Sequence, residues 1–456
     1  MISTICAKNF KSWSDTGELR LAPLTGLFGT NSSGKTSLMQ LLLMLKQTVE
    51  SPDRSRVLHT GDHRSLVDLG TFFDLIHGHQ SEASLDFQLA WNLPDALVID
   101  DPEKKNTQLF KIQTLSFATS AREESNRVVV ESFGYKFDGH CFGMKRKNGG
   151  KKANKDRYDL IHDGYGAKRV TGRVWPLPAP VKCYGFPDAA TGYYQNTGFL
   201  QDFSLEFEKL FSRIAYLGPL REYPQRNYVW AGERPLDVGI KGELAIAALL
   251  ASRGEKTIAR GKGRGMGRTR KTVEERIALW LKEMGLINSF SLKPIAENRK
   301  DYEVRLKKTV TSPEVLITDV GFGVSQILPV LVLCYYVPEG SIILLEQPEI
   351  HLHPAIQSYL ADVLIDVVNT RRVQIIVESH SEHLLRRLQR RIAEKTIASN
   401  QVALYFCRMD DAASKIEQLD VDMFGNISNW PKDFFGDEMG DLVAMVDAEA
   451  RRKGTG

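Results

Sequence analysis

Residues 29–36 read Gly-Thr-Asn-Ser-Ser-Gly-Lys-Thr and fit the pattern G-x-x-x-x-G-K-[ST]. In such loops backbone N–H groups surround a phosphate, the lysine contacts the outer phosphates and the last hydroxyl holds Mg²⁺. The apolar run Leu24–Phe28 predicts a strand before the loop, and Lys35–Gln47 is apolar on nearly all sides, as buried helices are. This order predicts an α/β core with a phosphate site at a helix N-terminus. The candidate phosphate-binding residues are Gly29, Asn31, Ser32, Ser33, Gly34, Lys35, Thr36 and Ser37.

A second group of candidates follows the apolar run Ser341–Leu345, which predicts a buried parallel strand. Glu346, Gln347 and Glu349 come directly after that strand. Ligands bind at the carboxyl ends of parallel strands, so Glu346 is predicted to lie near the Mg²⁺ and its waters. A strand that merely ends in a solvated carboxylate explains the same residues equally well when they are taken alone.

The segment Thr318–Gln326 precedes an apolar helical stretch and contains two glycines and a serine. Ser325 is predicted to cap that helix, while the glycines leave backbone amides open for a phosphate. An ordinary turn and cap is the alternative. The candidate residues of this segment are Gly321, Gly323, Ser325 and Gln326.

His380 follows the apolar strand segment Val373–Val377. A neutral imidazole at a strand end can hydrogen-bond a γ-phosphate or an attacking water. The pairs His351/His353 and His380/His383 lack the third and fourth ligands that a zinc site needs, so we do not expect zinc.

The composition of the chain restricts its class. With 456 residues, 42% hydrophobic and 25% charged, the chain is expected to fold into two or three domains. A net charge of +4 is too small to indicate a nucleic-acid or membrane binder. Five scattered cysteines fit a reducing cytoplasm, and neither a membrane span nor a secretory signal is apparent, so a cytoplasmic protein is expected.

Taken in chain order, these motifs resemble an ABC-type ATPase head, a P-loop NTPase fold, over both ends of the chain. The run Glu346-Gln-Pro-Glu-Ile-His-Leu-His-Pro354 is similar to the RecF and OLD (overcoming-lysogenisation-defect) group of AAA ATPases, whose heads lack long coiled coils. Tyr216–Arg221 and Trp430–Gly436 resemble segments of one subgroup with a C-terminal domain of unknown function. The group includes ATPase subunits of bacterial anti-phage defence systems.

The resemblance implies an α/β ATPase head with an antiparallel β lobe, a helical insertion and no long coiled coil. The expected divisions are residues 1–90 for the first part of the head, 91–205 for the β-rich lobe, 206–300 for a helical segment with a basic loop, 301–410 for the second part of the head and 411–456 for a small C-terminal segment.

The resemblance further implies that two copies enclose two ATP molecules. Gly29–Thr36 of one copy would bind ATP, Gly323–Gln326 of the other would cover the γ-phosphate, and Thr36 with Glu346 would hold Mg²⁺. His380 would take the switch role and His351–His353 the loop that crosses the dimer. A glutamine loop is expected between Gly61 and Gln80, and its candidates are Asp68, Asp74 and Gln80.

One position departs from the family pattern. The glutamate that usually activates water is replaced by Gln347, which cannot accept a proton. Three explanations stay open at this point: hydrolysis is slow, Glu349 substitutes, or the glutamine is an engineered trap for ATP.

Two basic runs, Lys145–Arg157 and a glycine-rich loop, are candidates for non-specific nucleic-acid contact, although a solvated loop is the commoner explanation. The basic residues of that loop are Arg260, Lys262, Arg264, Arg268, Arg270 and Lys271. Asp420 and Asp422 form a candidate metal pair without an upstream glutamate motif, so no built-in nuclease is expected.

The expected function is that of an ATP-driven dimerisation switch, a homodimer or higher homo-oligomer that controls a separately encoded effector in anti-phage defence. The alternatives are a DNA-binding repair ATPase resembling RecF and an ATP-binding scaffold with little turnover. Lys35→Ala is predicted to abolish nucleotide binding, and Ser325→Arg to block closure only.

Overall fold

A computed structural model describes residues 1–80, 82–147, 157–172, 176–259, 269–297, 299–431, 434, 443–449 and 452. The helices are α1 (Lys35–Glu50), α2 (Phe72–Leu75), α3 (Ala189–Tyr193), α4 (Leu200–Ser212), α5 (Ala245–Ala251), α6 (Val273–Glu283), α7 (Phe322–Tyr336), α8 (Pro354–Arg371) and α9 (Glu382–Ala393). The strands are β1 (Ile2–Phe10), β2 (Trp13–Asp15), β3 (Leu19–Arg20), β4 (Leu24–Gly29), β5 (Leu85–Asp100), β6 (Gln108–Glu124), β7 (Arg127–Phe137), β8 (His140–Arg146), β9 (Tyr158–Asp163), β10 (Ile214–Leu217), β11 (Tyr228–Val229), β12 (Lys256–Ala259), β13 (Thr269–Thr272), β14 (Ser289–Pro294), β15 (Asp301–Lys307), β16 (Val315–Leu316), β17 (Ile342–Glu346), β18 (Gln374–Glu378), β19 (Val402–Asp410) and β20 (Ala413–Gln418).

The centre of the molecule is a sheet with the strand order β10-β17-β18-β4-β19-β20. All neighbours are parallel except β19 and β20. Side chains alternate across a strand, so Ile342 and Leu344 of β17 face one core while Ile343 and Leu345 face another. The first core is shared with α1 and the antiparallel lobe, and the second is built with α7, α8 and α9. The sheet is therefore covered on both faces, as parallel sheets are.

The lobe is an antiparallel sheet with the order β2-β1-β5-β6-β7-β8-β9, to which β3 adds at β1. It includes the first strand of the chain, so it extends beyond the range 91–205. Phe203 of α4 stacks on Tyr135 of the sheet, Phe207 packs at a tilt against Phe117, and both helix residues are fully buried. This aromatic contact fastens α4 to the lobe.

The strand β7 runs from Arg127 to Phe137 without a break, although it contains Gly134. Gly134 lies opposite Gly143 of β8, and a Cβ added to Gly143 would lie 2.0 Å from the carbonyl oxygen of Phe133. These glycines allow a close approach of two strands and do not mark a turn.

A helical insertion lies between the two parts of the head. Its α6 is tied to α7 and α8 by a buried network: Trp280 donates to the Tyr335 hydroxyl at 2.6 Å, and that hydroxyl donates to Asp366 at 2.6 Å. Arg276 approaches the same carboxylate at 3.3 Å. The network fixes the insertion on the helical layer of the head.

The predicted fold class is confirmed as an architecture: a central, mostly parallel sheet covered on both faces, with an antiparallel lobe and a helical insertion. In the described part of the chain the longest helix is α8 with 18 residues, so no long coiled coil is present there. None of the helices within the described ranges combines the length and apolarity that a membrane span requires.

Candidate functional site

The loop between β4 and α1 depends on its glycines. Gly29 has φ +136° and Gly34 has φ +84°, both in the region that favours glycine. A Cβ added to Gly29 would lie 1.9 Å from the carbonyl oxygen of Cys407 on the neighbouring strand β19. No side chain caps α1, so the first N–H groups of the helix remain open to an anion.

Lys35 lies over this loop. Its Nζ donates to the carbonyl oxygens of Gly29 at 3.2 Å and Thr30 at 2.6 Å, and only 3% of the residue is exposed. Burial lowers the pKa of the ammonium, and the charge of Glu378 opposes that shift. The cation is thus held inside the loop, where a phosphate would replace the weaker carbonyl acceptors.

Thr36 and Glu378 connect the loop to the next strand. The Thr36 hydroxyl donates to Glu378 Oε2 at 2.8 Å. Glu378 ends β18 and is paired in register with Glu346, which ends β17. Burial raises the pKa of Glu378 to about 7; the hydrogen bond from Thr36 opposes this rise, and the charge of Glu346 adds to it. Two acids and one hydroxyl therefore meet at the carboxyl edge of the sheet.

These groups fit a magnesium ion. Mg²⁺ commonly binds through one or two carboxylates together with substrate phosphates and water. Burial raises the pKa of Glu346, whose Oε2 accepts a hydrogen bond of 2.5 Å from the Tyr216 hydroxyl. A bound cation would compensate the charge of these buried acids, because two like charges at one site disfavour ionisation.

Glu349 and His380 form a second contact beside the loop. The His380 backbone N–H donates to Glu349 Oε1 at 2.6 Å, and Glu349 is buried. Burial raises the pKa of Glu349. Burial lowers the pKa of His380, the charge of Lys35 lowers it further, and a hydrogen bond with the Gly29 backbone opposes both. His380 is therefore a neutral imidazole at pH 7.

Gln347 stands in a left-handed conformation, with φ +44°. Its backbone N–H donates to the Glu378 carbonyl oxygen at 2.9 Å. Its side chain also hydrogen-bonds the Glu378 carboxyl, which lowers the pKa of that group. The Gln347 amide thus favours the ionised form of Glu378 through this hydrogen bond, but it cannot itself accept a proton.

The prediction that Ser325 caps α7 is wrong. The helix begins earlier, at Phe322, and its N-cap is Gly321, which makes no side-chain cap bond. Ser325 lies inside the helix and is only 8% exposed, while Gly321 is exposed. Gln326 is buried and Gly323 half-buried. The cavity next to Ser325 is lined by the segment Glu222–Gln225 and by α5, and no residue of the phosphate loop lines it.

The other predicted residues lie elsewhere. Asp74 completes a capping box with Thr71 in α2, Asp68 accepts from the Gly70 backbone, and Gln80 is exposed. Among hydrogen bonds and ion pairs of the described residues, none joins these three glutamine-loop candidates to the phosphate loop.

His351 and His353 are exposed at the start of α8. Asp422 accepts from the backbone N–H groups of Phe424 and Asn426, which is the geometry of a turn. Within the described ranges no three His, Cys, Asp or Glu side chains assemble a metal cluster.

Part of the predicted basic loop can be placed. Arg270 and Lys271 lie on β13, which pairs with β12 in a two-stranded sheet. Arg260, Lys262, Arg264 and Arg268 lie outside the described residues.

Sequence reasoning missed Glu378, Tyr216 and also Arg221, whose guanidinium is stabilised by the charges of Glu346 and Glu349. Glu378 could have been found, because the rule that selected Glu346, an acid at the end of a buried strand, applies equally to the strand that follows α8. Tyr216 and Arg221 lie in a run that was noted only for its family resemblance. Their part in the site depends on the pairing of β10 with β17.

Comparisons with known proteins agree with the resemblance. Residues 268–385 match the profile of the AAA ATPase domain, and residues 397–445 match a family of proteins of unknown function, DUF3696. The chain is thus similar to AAA ATPases over residues 268–385 and to that C-terminal family over residues 397–445, which confirms the recognition made from the sequence. The first match excludes residues 29–36, but β18 of the matched range pairs in parallel with β4. The phosphate loop therefore belongs to the same sheet.

Similar solved structures include an Smc head bound to the C-winged helix domain of ScpA, with 12% identity and a TM-score of 0.45 over 92% of this chain and 98% of that chain. The SMC head domain from Thermotoga maritima has 11% identity and a TM-score of 0.40 over 92% and 99% of the two chains. An Smc head with an extended coiled coil, bound to the C-terminal domain of ScpA derived from Pyrococcus furiosus, has 11% identity and a TM-score of 0.40 over 92% and 96%. A search of curated proteins finds no significant match.

Proposed function

We propose that this protein binds and hydrolyses ATP between two copies of its head, so that nucleotide controls their closure. The observation that carries this proposal is the 2.8 Å hydrogen bond from Thr36 to Glu378, beside Glu346. It brings the last residue of the phosphate loop to two strand-end acids on a continuous parallel sheet. A loop that bound only a simple anion would need no such acids, whereas a magnesium nucleotide does.

Each group then has a defined task. The open amides of α1 and the Lys35 ammonium grip the phosphates, and Thr36 and Glu346 hold Mg²⁺. When bound, Mg²⁺ neutralises charge on the phosphate oxygens. Glu378 orients the Thr36 hydroxyl by accepting its proton in a hydrogen bond. His380, neutral and next to Gly29, is suited to contact the γ-phosphate or the attacking water.

Turnover is proposed to be slow. No carboxylate stands at position 347, and Glu349 Oε1 already accepts from the His380 backbone. Hydrolysis then depends on positioning and electrostatics more than on a strong general base. A slow switch that stays closed for many seconds suits a regulator better than a motor.

The need for a second copy rests on the N-terminus of α7. Gly321 is exposed and its helix amides carry no side-chain cap, as an anion site would require. Ser325, in the same helix, lines a cavity that contains no residue of the phosphate loop. The N-terminus of α7 would thus serve the nucleotide of a partner copy, giving a homodimer or higher homo-oligomer.

The closed pair is proposed to control a separately encoded effector in prokaryotic anti-phage defence, in the cytoplasm. Support for this step is the resemblance of the motif Glu346–Pro354 and of the C-terminal segment to ATPase subunits of such systems. Closure would change what the lobe and the helical insertion present to that effector.

Two variants test the proposal. Lys35→Ala removes the phosphate-binding cation and is expected to weaken ATP binding at least 100-fold in a titration with a fluorescent nucleotide. Lys46→Ala, in the same helix, is the matched control, since Lys46 pairs with Glu50 at 2.6 Å and lies about three turns beyond Lys35. Unchanged ATP affinity in Lys35→Ala would exclude the phosphate loop as the nucleotide site.

Gly321→Glu tests the shared site better than Ser325→Arg, because Ser325 is buried and arginine there would disturb packing. A Cβ at Gly321 meets nothing within 4 Å. A carboxylate at a helix N-terminus stabilises the monomer but repels a phosphate. The variant is expected to bind ATP normally and to remain a monomer by light scattering, whereas normal ATP-dependent closure would exclude the shared site.

A further inference from the structure

Arg221 enters the site from the side opposite Lys35. β10 pairs with β17 in parallel, with Leu217 opposite Leu345, so the chain after Leu217 leaves the sheet at the same edge as Glu346. Two backbone hydrogen bonds fix the turn that follows: Gly218 donates to the Ile240 carbonyl at 2.8 Å and Glu222 donates to that of Lys241 at 2.9 Å. The position of Arg221 is therefore set by rigid elements.

The surroundings of Arg221 are acidic, and the side chain is half-buried. Burial lowers the pKa of the guanidinium to about 10, while the charges of Glu346 and Glu349 raise it. The group stays cationic at neutral pH. Its Nε and Nη1 atoms are buried, and no protein group accepts a hydrogen bond from either.

An ordinary structural ion pair does not account for this arrangement. A buried guanidinium normally spends its N–H groups on nearby carboxylates, often in a bidentate pair. Here Glu346 Oε2 accepts from Tyr216 and Glu349 Oε1 accepts from the His380 backbone. Arg221 faces these acids yet donates to neither through Nε or Nη1. Nε–H and Nη1–H are left without a protein acceptor, so an anion such as a phosphate would satisfy them.

Lys35 and Arg221 share one acid between them. The charge of Glu349 acts on the Lys35 ammonium and on the Arg221 guanidinium, although Lys35 follows β4 and Arg221 follows β10, with β17 and β18 between those strands. A triphosphate whose inner groups lie in the loop at Lys35 would therefore extend toward Arg221. The terminal phosphate would be the part that reaches it.

We propose that Arg221 is a catalytic residue whose guanidinium N–H groups donate to the terminal phosphate of ATP and stabilise the charge that develops there during hydrolysis. This inference rests on the proposed ATPase function. The water oxygen forms a bond to the γ-phosphorus while the bond to the bridging oxygen breaks and ADP leaves with the electron pair. The proton of the water passes to the released phosphate, so Arg221 supplies charge and exchanges no proton. Preorganised cations of this kind stabilise the transition state more than the ground state.

The test compares Arg221→Ala, Arg221→Lys and a control, Arg234→Ala, in the full-length protein. Arg234 lies with Arg221 in the segment that connects β10 and α5. It is exposed and pairs with Glu255 at 2.5 Å. We expect Arg221→Ala to bind ATP within about threefold of wild type and to lower kcat by about 10²–10³-fold, the loss typical for one transition-state donor. We also expect it to lose trapping of ADP with aluminium fluoride, a mimic of the transferring phosphoryl group. Arg234→Ala should match wild type in all three measurements.

Arg221→Lys keeps the positive charge that the acids require. It therefore separates charge balance from hydrogen-bond donation to the phosphate. If Arg221 only balances charge, lysine restores kcat and aluminium fluoride trapping to within about threefold of wild type, and that outcome overturns the proposal. If hydrogen-bond donation by the planar guanidinium matters, lysine leaves kcat at least about tenfold below that of the wild type. This variant also decides the question if Arg221→Ala does not fold.

Failure of the ATPase proposal would give different results from failure of the Arg221 proposal. A wild-type protein that neither binds nor hydrolyses ATP removes the ATPase proposal itself. A wild type that turns over, together with an Arg221→Ala variant that has normal kcat and normal trapping, removes only the role of Arg221.

Discussion

Replacing Glu378 by glutamine is expected to stabilise the nucleotide-free protein at alkaline pH. Glu378 is 2% exposed, and burial, together with the charge of Glu346, raises its pKa from 4.5 to about 7. The folded protein therefore holds this proton to higher pH than the unfolded chain does. Stability from Glu378 is full below pH 4.5, falls as the pH rises and is lost above pH 7. At 1.36 kcal/mol per pKa unit, the loss is about 3 kcal/mol.

Glu378→Gln keeps the size of the side chain and an oxygen that can accept from Thr36, but it cannot ionise. The assay is urea unfolding between pH 4.5 and 8 in a buffer with a metal chelator. The variant and the wild type should agree within about 0.5 kcal/mol at pH 4.5 and differ by about 3 kcal/mol at pH 8 in favour of the variant. Glu382→Gln is the control, since Glu382 pairs with Arg386 at the surface.

Two results would refute this reasoning. Parallel stability curves for Glu378→Gln and the wild type across the whole range would show that burial does not perturb Glu378. A variant less stable than the wild type at pH 8 would show that its negative charge is favourable in the folded state. Saturating Mg²⁺ and ATP should reduce the difference at pH 8, because a bound cation favours the ionised carboxylate.

Three further substitutions give direct checks. Gly29→Ala places a Cβ 1.9 Å from the Cys407 carbonyl at φ +136°, so thermal unfolding should show a loss of about 2 kcal/mol or more, and a normal melting temperature would contradict the strained loop. Gln347→Glu restores a proton acceptor and should raise steady-state ATPase by about 10²-fold or more; an unchanged rate would show that proton transfer is not limiting. Phe207→Ala removes a fully buried ring and should destabilise by about 3–5 kcal/mol, whereas the 46% exposed Leu205 should tolerate alanine, and equal effects would contradict the packing of α4.

The local motifs could be predicted from the sequence because neighbouring residues determine them. The phosphate loop needs only its glycines, a lysine and a following helix, and α1 begins at Lys35 as expected. The ends of β17 and β18 were also predicted to within a residue, since continuous apolar runs indicate buried parallel strands. Side chains at the carboxyl ends of these strands can then be assigned to the edge of the sheet where ligands bind.

Glu378 and Arg221 could not be predicted from local sequence patterns in this way. Glu378 gains its role because β18 lies between β17 and β4, and Arg221 because β10 joins the sheet next to β17. Strand order is set by long-range packing, which no local pattern encodes. Ser325 was misassigned because a serine favours a cap position, whereas packing of Val324 and Ile327 in the core draws the helix start back to Phe322.

The central claim is that one copy supplies the phosphate loop and the other supplies the N-terminus of α7. Mixing the Lys35→Ala and Gly321→Glu proteins tests it most directly, because a mixed pair contains one site with both defects and one site with neither. ATPase activity and ATP-dependent dimer mass should reappear in the mixture although each protein alone is inactive. A mixture with no more activity than the sum of its two components would contradict the shared site.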